Sequence, residues 1–160
     1  MIIRVGQGFD IHRFEDVPTA GRVLVLGGQR FPGERTLLGH SDADVIAHAV
    51  ADALLGACGM GDIGRHFPDT DPKWKNADSI EILRSVGRML SDDGWTIGNV
   101  DCSVVCESPK IAPVRDAMQS CLSDAVGAPV TVKGRRAEGL GAIGRGEGIA
   151  CFASAVVTRD

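Results

Sequence analysis

The sequence predicts an α+β fold, a mixed β-sheet with helices packed on one face. Three observations carry this. Strand-like and helix-like stretches follow one another unevenly, so there is no steady β-α-β alternation. Apolar residues recur at helical spacing in three places. No internal repeat, low-complexity tract or linker divides the 160 residues, which fit a single domain, 1–160, with a sizeable core.

The elements follow in order. Residues 2–14, IIRVGQGFDIHRF, read as a strand, and residues 23–31, VLVLGGQRF, as one strand or a tight hairpin around Gly27 and Gly28. Ser41 and Asp44 spell a capping box, which predicts a helix starting there. Ile46, Ala49, Val50, Ala53, Leu54 and Ala57 share one face of it, and Gly56, Gly59 and Gly61 end it. Residues 62–77 carry Pro, Gly and Asp and read as a long, functional loop. Asp78 and Glu81 form a second capping box, before a helix lined by Ile82, Leu83, Val86 and Leu90. Residues 96–106 suit a strand and 109–125 a third helix, with Ile111, Val114, Met118, Cys121, Leu122 and Ala125 inward. Residues 129–133 and 149–158 suit two last strands.

Bulk composition excludes several function classes. Aromatics make up 4% with no Tyr, too few for a platform that stacks single-stranded nucleic acid. The net charge is -4 and the cations are scattered, which argues against duplex DNA or an acidic membrane surface as partner. Five Cys without a C-x-x-C argue against a zinc knuckle or a disulfide scaffold and for free thiols in a reducing cytoplasm. The N-terminus lacks the pattern of a signal peptide, and no apolar run is long enough to span a bilayer.

GLGAIG, residues 139–144, spells the glycine fingerprint of a dinucleotide-binding turn. That reading needs a helix after it, whereas RGEGIACFASAVVT is glycine-rich and then strand-like. Glycines permitting a sharp turn into a strand explain it better.

Other residues point to chemistry. Asp10 and His12 sit two apart on a strand, so both side chains leave one face. With His48 on the first helix they make a three-ligand set for Zn²⁺ that leaves a fourth position open; a surface pair and an ordinary helix histidine are the alternative. Asp44 or Asp52, one turn either side of His48, could orient it. His40, Ser41 and Asp42 precede a helix, where exposed N–H groups favour a phosphate or simply take a cap. HFPDTDP offers two carboxylates to sugar hydroxyls or a cation, or forms a chain of Asx turns. Lys110 and the pair Arg135 and Arg136 could meet phosphate, although neighbours on a strand face opposite ways.

Four blocks in this order, GFDIHRF, LLGHSDADVIAHAVADALLGACGMGDIGRHFPDTDP, NVDCSVVCESPKIAP and GRGEGIACFA, run nearly end to end. Together they resemble the 2-C-methyl-D-erythritol 2,4-cyclodiphosphate synthase family of the non-mevalonate isoprenoid pathway. The resemblance implies a lyase that closes 4-diphosphocytidyl-2-C-methyl-D-erythritol 2-phosphate into the cyclic diphosphate and releases CMP. It implies Zn²⁺ on Asp10, His12 and His48, and Mg²⁺ or Mn²⁺ between Glu138 and the substrate phosphates. It implies a homotrimer with active sites between subunits and, in some members, an isoprenoid diphosphate on the trimer axis near Arg145 and Glu147.

Residue by residue, it places substrate contacts on Asp10, Ile11, His12, His40 and Ser41. The methylerythritol turn matches Asp62, Ile63 and Gly64, with Phe67, Pro68, Asp69, Thr70 and Asp71 beside it. The cytidine pocket matches Cys106, Glu107, Ser108, Pro109, Lys110, Ile111 and Ala112, continuing through Arg135, Arg136, Ala137 and Glu138. Ala142 and Arg145 complete the set, and His40 and Arg136 take the catalytic positions. The chain departs from the family pattern where a run of threonines usually precedes the glutamate: a threonine credited with stabilising the transition state is Arg136, and a bulky residue near the axis is Ala142. The expectation is a working synthase with a remodelled phosphate contact. A nucleotide diphosphate hydrolase and a non-catalytic trimer that binds cytidine nucleotide or isoprenoid diphosphate are the alternatives.

Overall fold

The computed structural model describes residues 1–160. Strand β1 (Ile2–Arg13) leads into a hairpin of β2 (Leu24–Leu26) and β3 (Gln29–Phe31), whose turn residues Gly27 and Gly28 both have positive φ. Helix α1 (Val45–Cys58), the one-turn helix α2 (Ile63–His66) and helix α3 (Ser79–Asp92) follow. Then come β4 (Thr96–Val105), α4 (Arg115–Val126), β5 (Val130–Arg135), the one-turn helix α5 (Gly141–Gly144) and β6 (Gly148–Arg159). The four long strands form one sheet in the order β1-β6-β4-β5. β6 runs antiparallel to both neighbours and β4 runs parallel to β5, so the sheet is mixed.

Burial alternates along the strands as the period of two requires. Val100, Cys102 and Val104 of β4, Val130 and Val132 of β5, and Cys151, Ala153, Ala155 and Val157 of β6 are buried on one face. The helices cover that face. The fully buried Ile46, Leu54, Leu83, Leu90, Met118 and Leu122 contribute about 1.5–3 kcal/mol each relative to exposure. The opposite face carries no helix, and Ile3, Val5, Phe9, Ile11 and Phe152 stand exposed on it. The Phe9 and Phe152 rings meet there at a centroid distance of 4.9 Å.

Two glycines of β1 set the position of α1. A Cβ on Gly8 would come within 2.7 Å of the Ala53 nitrogen and closer still to the Ala49 carbonyl oxygen; one on Gly6 would come within 2.6 Å of the Ala57 nitrogen. The strand therefore packs directly on the helix backbone, and alanines at 49, 53 and 57 keep the gap small.

Three expectations need correction. α1 starts at Val45, not after Ser41: Asp44 is the cap, its carboxylate accepting from the Ile46 and Ala47 N–H groups, and Ala43 before it has φ +60°. The third helix begins at Arg115 instead of Pro109; Ala112–Val114 form only a 3₁₀ turn, as prolines at 109 and 113 remove N–H donors from that stretch. Residues 62–77 are not wholly loop, since α2 and a 3₁₀ turn at Pro72–Trp74 interrupt them, each capped by an aspartate, Asp62 and Asp71. The hairpin, the caps at Asp78 and Gly59, and five free cysteines agree with the sequence reading. GLGAIG makes the single turn α5 and then enters β6, which leaves no room for a dinucleotide-binding unit.

Candidate active site

The side chains of Asp10 and His12 leave β1 on the helix side, in line with Gly6 and Gly8. The close approach of α1 brings His48 beside them. Asp10 Oδ2 lies 3.1 Å from His12 Nε2 and 3.0 Å from His48 Nδ1, and the two ring nitrogens are 3.4 Å apart. A tetrahedral ion with ligand bonds of about 2.0–2.1 Å separates its donors by about 3.3 Å. The set of one carboxylate and two imidazoles therefore fits a metal such as zinc in both donor type and spacing.

The ring orientations are fixed from behind. His12 Nδ1 donates to the Leu38 carbonyl at 2.8 Å, which turns Nε2 toward Asp10. His48 Nε2 faces the Ser79 hydroxyl at 2.8 Å and the Ser41 hydroxyl at 3.2 Å. Burial opposes ionisation of Asp10, but hydrogen bonds to His12 and His48 and their charge outweigh it and hold the carboxyl well below the usual carboxylate range. Burial opposes protonation of His12 too, yet the hydrogen bond and charge of Asp10 leave its pKa raised.

Neither aspartate expected to orient His48 does so. Asp44 is fully buried and receives the Gly27 and Gly28 N–H groups at 2.8 and 2.7 Å, tying the hairpin turn to the start of α1. Burial raises its pKa. Asp52 accepts from the Ile63 N–H at 2.8 Å and anchors α2. Burial raises its pKa as well.

Around the three ligands is a cavity of about 400 Å³. Of the expected residues, Asp10, His12, His40, Ser41, His48, Ile63, Gly64, Phe67 and Asp69 line it. Asp62 and Asp71 lie just outside as helix caps, and Asp71 offers its carbonyl to His40 Nε2 at 3.2 Å. Pro68 and Thr70 complete the same loop, with the Pro68 carbonyl accepting from the Asp71 N–H. Ile11 points to the other face of the sheet and is half exposed. The wall segment is clamped by Arg22, which donates to the Gly39 and Ser41 carbonyls at 3.1 and 2.8 Å.

A second cavity, of about 320 Å³, gathers Cys106, Glu107, Pro109, Lys110, Ile111, Ala112, Arg135 and Arg136. Glu107 organises it, accepting from Arg136 at 2.9 Å and from the Ala137 N–H at 2.9 Å. Hydrogen bonding to Arg136 keeps the Glu107 pKa below its usual value. Ser108 donates to Glu34 at 3.1 Å. Burial pushes the Cys106 thiol up to about 11, so it is a packing residue rather than a nucleophile. Glu138 is exposed at φ +54° and stands outside the three-ligand group. Ala142 is the second residue of α5, and Arg145, just after that helix, pairs with Glu147 at 2.7 Å. The catalytic pair expected from sequence, His40 and Arg136, is divided between the two cavities of one chain.

Sequence reasoning missed Ser79, Asp42 as its partner, Trp74 and Ile82. Ser79 was hidden because A-D-S before an apolar run signals a helix start and nothing more; only the fold shows that its hydroxyl faces His48.

Residues 3–158 match the YgbB family model. A 2-C-methyl-D-erythritol 2,4-cyclodiphosphate synthase of Halalkalibacterium halodurans is 52% identical over 152 residues, covering 93% of this chain and 94% of that one. One from Rubrobacter xylanophilus is 53% identical over 159 residues, covering 98% and 95%. A solved complex of Plasmodium falciparum IspF with CDP superposes with a TM-score of 0.83 at 35% identity, covering 99% of this chain and 97% of that one.

Proposed function

The chain belongs to the YgbB family of 2-C-methyl-D-erythritol 2,4-cyclodiphosphate synthases, and on that premise we propose how its own residues carry the reaction. The enzyme is a lyase of isoprenoid biosynthesis. It converts 4-diphosphocytidyl-2-C-methyl-D-erythritol 2-phosphate to 2-C-methyl-D-erythritol 2,4-cyclodiphosphate. A 2-phosphate oxygen bonds to the β-phosphorus, the bond from that phosphorus to the bridging oxygen breaks, and CMP leaves with the electron pair.

In this reading Asp10, His12 and His48 hold Zn²⁺, which when bound supplies positive charge to a phosphate oxygen. The chain does the rest. His40 and Ser41 border the cavity and present donors to the phosphate. Ile63, Gly64, Phe67 and Asp69 enclose the methylerythritol moiety, with Asp62, Pro68, Thr70 and Asp71 shaping the loop around it. Cys106 to Ala112 receive the cytosine and ribose, and Lys110, Arg135 and Arg136 offset the charge of the departing CMP. Glu138 carries Mg²⁺ or Mn²⁺ together with the substrate phosphates, and Ala137 and Ala142 flank it.

One chain holds the two halves in separate cavities, so the reading includes a homotrimer in which the metal cavity of one subunit meets the nucleotide cavity of its neighbour. The helix-free sheet face, with Val5, Phe9, Ile11 and Phe152 exposed, supports association. Arg145 sits near the subunit axis and an isoprenoid diphosphate binds there. The enzyme works in the cytoplasm, and no helix is long and apolar enough to cross a membrane.

The observation that carries the reading is the donor set with 3.0–3.4 Å spacing inside a cavity. Phosphorus NMR of the protein with substrate, Zn²⁺ and Mg²⁺ tests it. CMP and a cyclic diphosphate are expected; CMP with an open-chain product would make it a hydrolase, and binding without CMP a non-catalytic trimer.

A further inference from the structure

Asp42, Ser79 and His48 form a continuous line of hydrogen bonds that ends at the metal-binding set. Ser79 is the first residue of α3 and is 1% exposed. Its hydroxyl is bonded to Asp42 Oδ1, and its backbone N–H donates to Asp42 Oδ2 at 3.1 Å. On its other side the hydroxyl lies 2.8 Å from His48 Nε2. Proton bookkeeping gives this line one direction. A carboxylate only accepts, so the hydroxyl proton of Ser79 goes to Asp42. The Ser79 oxygen then accepts the Nε2–H of His48, which leaves Nδ1, 3.0 Å from Asp10, as the lone pair that faces the metal set.

We infer that Ser79, backed by Asp42, is a positioning residue for the metal: it fixes the tautomer and orientation of His48 and so raises metal affinity at the Asp10–His12–His48 set. The geometry also divides labour between two serines. Nε2 has one proton, and Ser79 at 2.8 Å takes it in preference to Ser41 at 3.2 Å. The Ser41 oxygen accepts from the Ala43 N–H at 3.2 Å, and its own proton can reach the Ser79 oxygen at 3.4 Å or a group entering the cavity. Backbone bonds from Asp42 N–H to the Ala77 carbonyl and from Asn76 N–H to the His40 carbonyl hold the two segments together.

The inference rests on the three-ligand reading, and the test separates the two. Wild type, Ser79→Ala and Asp42→Asn are loaded with Zn²⁺ against a competing chelator, and with Co²⁺ for its visible spectrum. The α3 cap is Asp78, and the Ser79 N–H bond to Asp42 survives in Ser79→Ala, so the metal-free melting temperature should fall by only a few degrees, the worth of the lost hydroxyl bonds. Ser79→Ala is expected to weaken metal affinity by about 10–100-fold and to alter the Co²⁺ spectrum, with Asp42→Asn in the same direction and smaller. Equal affinity and an unchanged spectrum in both variants would overturn the relay while leaving the metal site intact. Weakening with a larger fall in the metal-free melting temperature and an unchanged Co²⁺ spectrum would also overturn it, as a structural effect. A wild type that takes up neither metal removes the three-ligand reading and the relay with it. Should Ser79→Ala not fold, Asp42→Asn alone decides by the same readouts.

Discussion

The cavity that holds the three metal ligands, the metal end, and the cavity proposed to receive the nucleotide, the nucleotide end, are built differently. At the metal end every side chain is held at least twice. Asp10 and His12 come from a strand locked against a helix backbone, His48 from that helix, and both rings are bonded on their far nitrogens. At the nucleotide end the cations are exposed; Arg136 is held by Glu107 alone, in a pair open to water. In the proposed reading rigid elements carry the chemistry, while a short loop and a strand end carry recognition. The first is set by packing within the chain; in that reading the second is finished by a nucleotide and a neighbouring subunit.

Four changes would break or sharpen this contrast. The largest effect is expected from His48→Ala, which removes one of three ligands: turnover should fall by more than about a hundredfold, with loss of metal in a chelator competition. Retained turnover would take the metal end out of the reaction. Next is Gly8→Ala, in which the new methyl meets the Ala49 carbonyl and the Ala53 nitrogen. It should destabilise the fold by about 1–3 kcal/mol or more, about 2–4 °C of melting temperature per kcal/mol, and weaken metal binding, because α1 has to move away from β1. A variant that melts like wild type would show that α1 is less firmly seated than the contact implies. Lys110→Ala acts only at the other end: calorimetry should show CDP binding weakened roughly tenfold with metal affinity unchanged, the size of one charge-assisted contact. Coupled losses at both ends would blur the division.

The smallest effect is expected from Arg136→Thr, which restores the hydroxyl usual in the family. The exposed ion pair adds little to the fold, so the melting temperature should not change, and kcat and kcat/KM should fall a few-fold, roughly the worth of one exposed pair. Arg136 is the main cause of the lowered Glu107 pKa, so the Glu107 carboxyl should titrate at higher pH in the variant, observable by carbon NMR. In wild type the pair is intact above the ordinary carboxylate range and is lost as pH falls through the depressed pKa of Glu107. Unchanged KM and kcat would remove Arg136 from the mechanism.

Much of the fold was legible from local patterns. Alternation gave the strands, and i, i+3, i+4 spacing gave α3, whose predicted inward residues Ile82, Leu83, Val86 and Leu90 are all buried. The same-face placement of Asp10 and His12 followed from the strand period alone. The start of α1 was misread because two acceptors compete for the same role: Ser41 and Asp44 both suit a cap, and the choice falls to Asp44 through its bonds to Gly27 and Gly28, which no local rule contains. The partner of His48 was sought one helical turn away, at Asp44 and Asp52, since sequence shows neighbours along a helix but not across a fold. Ser79 is 31 residues distant and meets His48 only after α3 packs beside α1. The division of the site into two cavities was equally hidden, because motif order along a chain says nothing about which residues share a wall.

The backbone-to-backbone seat of α1 on Gly6 and Gly8 also bears on how the molecule comes apart. A helix held by buried contacts along its whole length exchanges its amide hydrogens only on global opening, whereas the capped turns at 62–77 and the stretch around α5 can open locally. The amides of residues 49–57 should therefore be the last to exchange. The three ligands would stay assembled through every partial unfolding that the loops allow, so substrate could leave and enter through transient loop openings without releasing the ion.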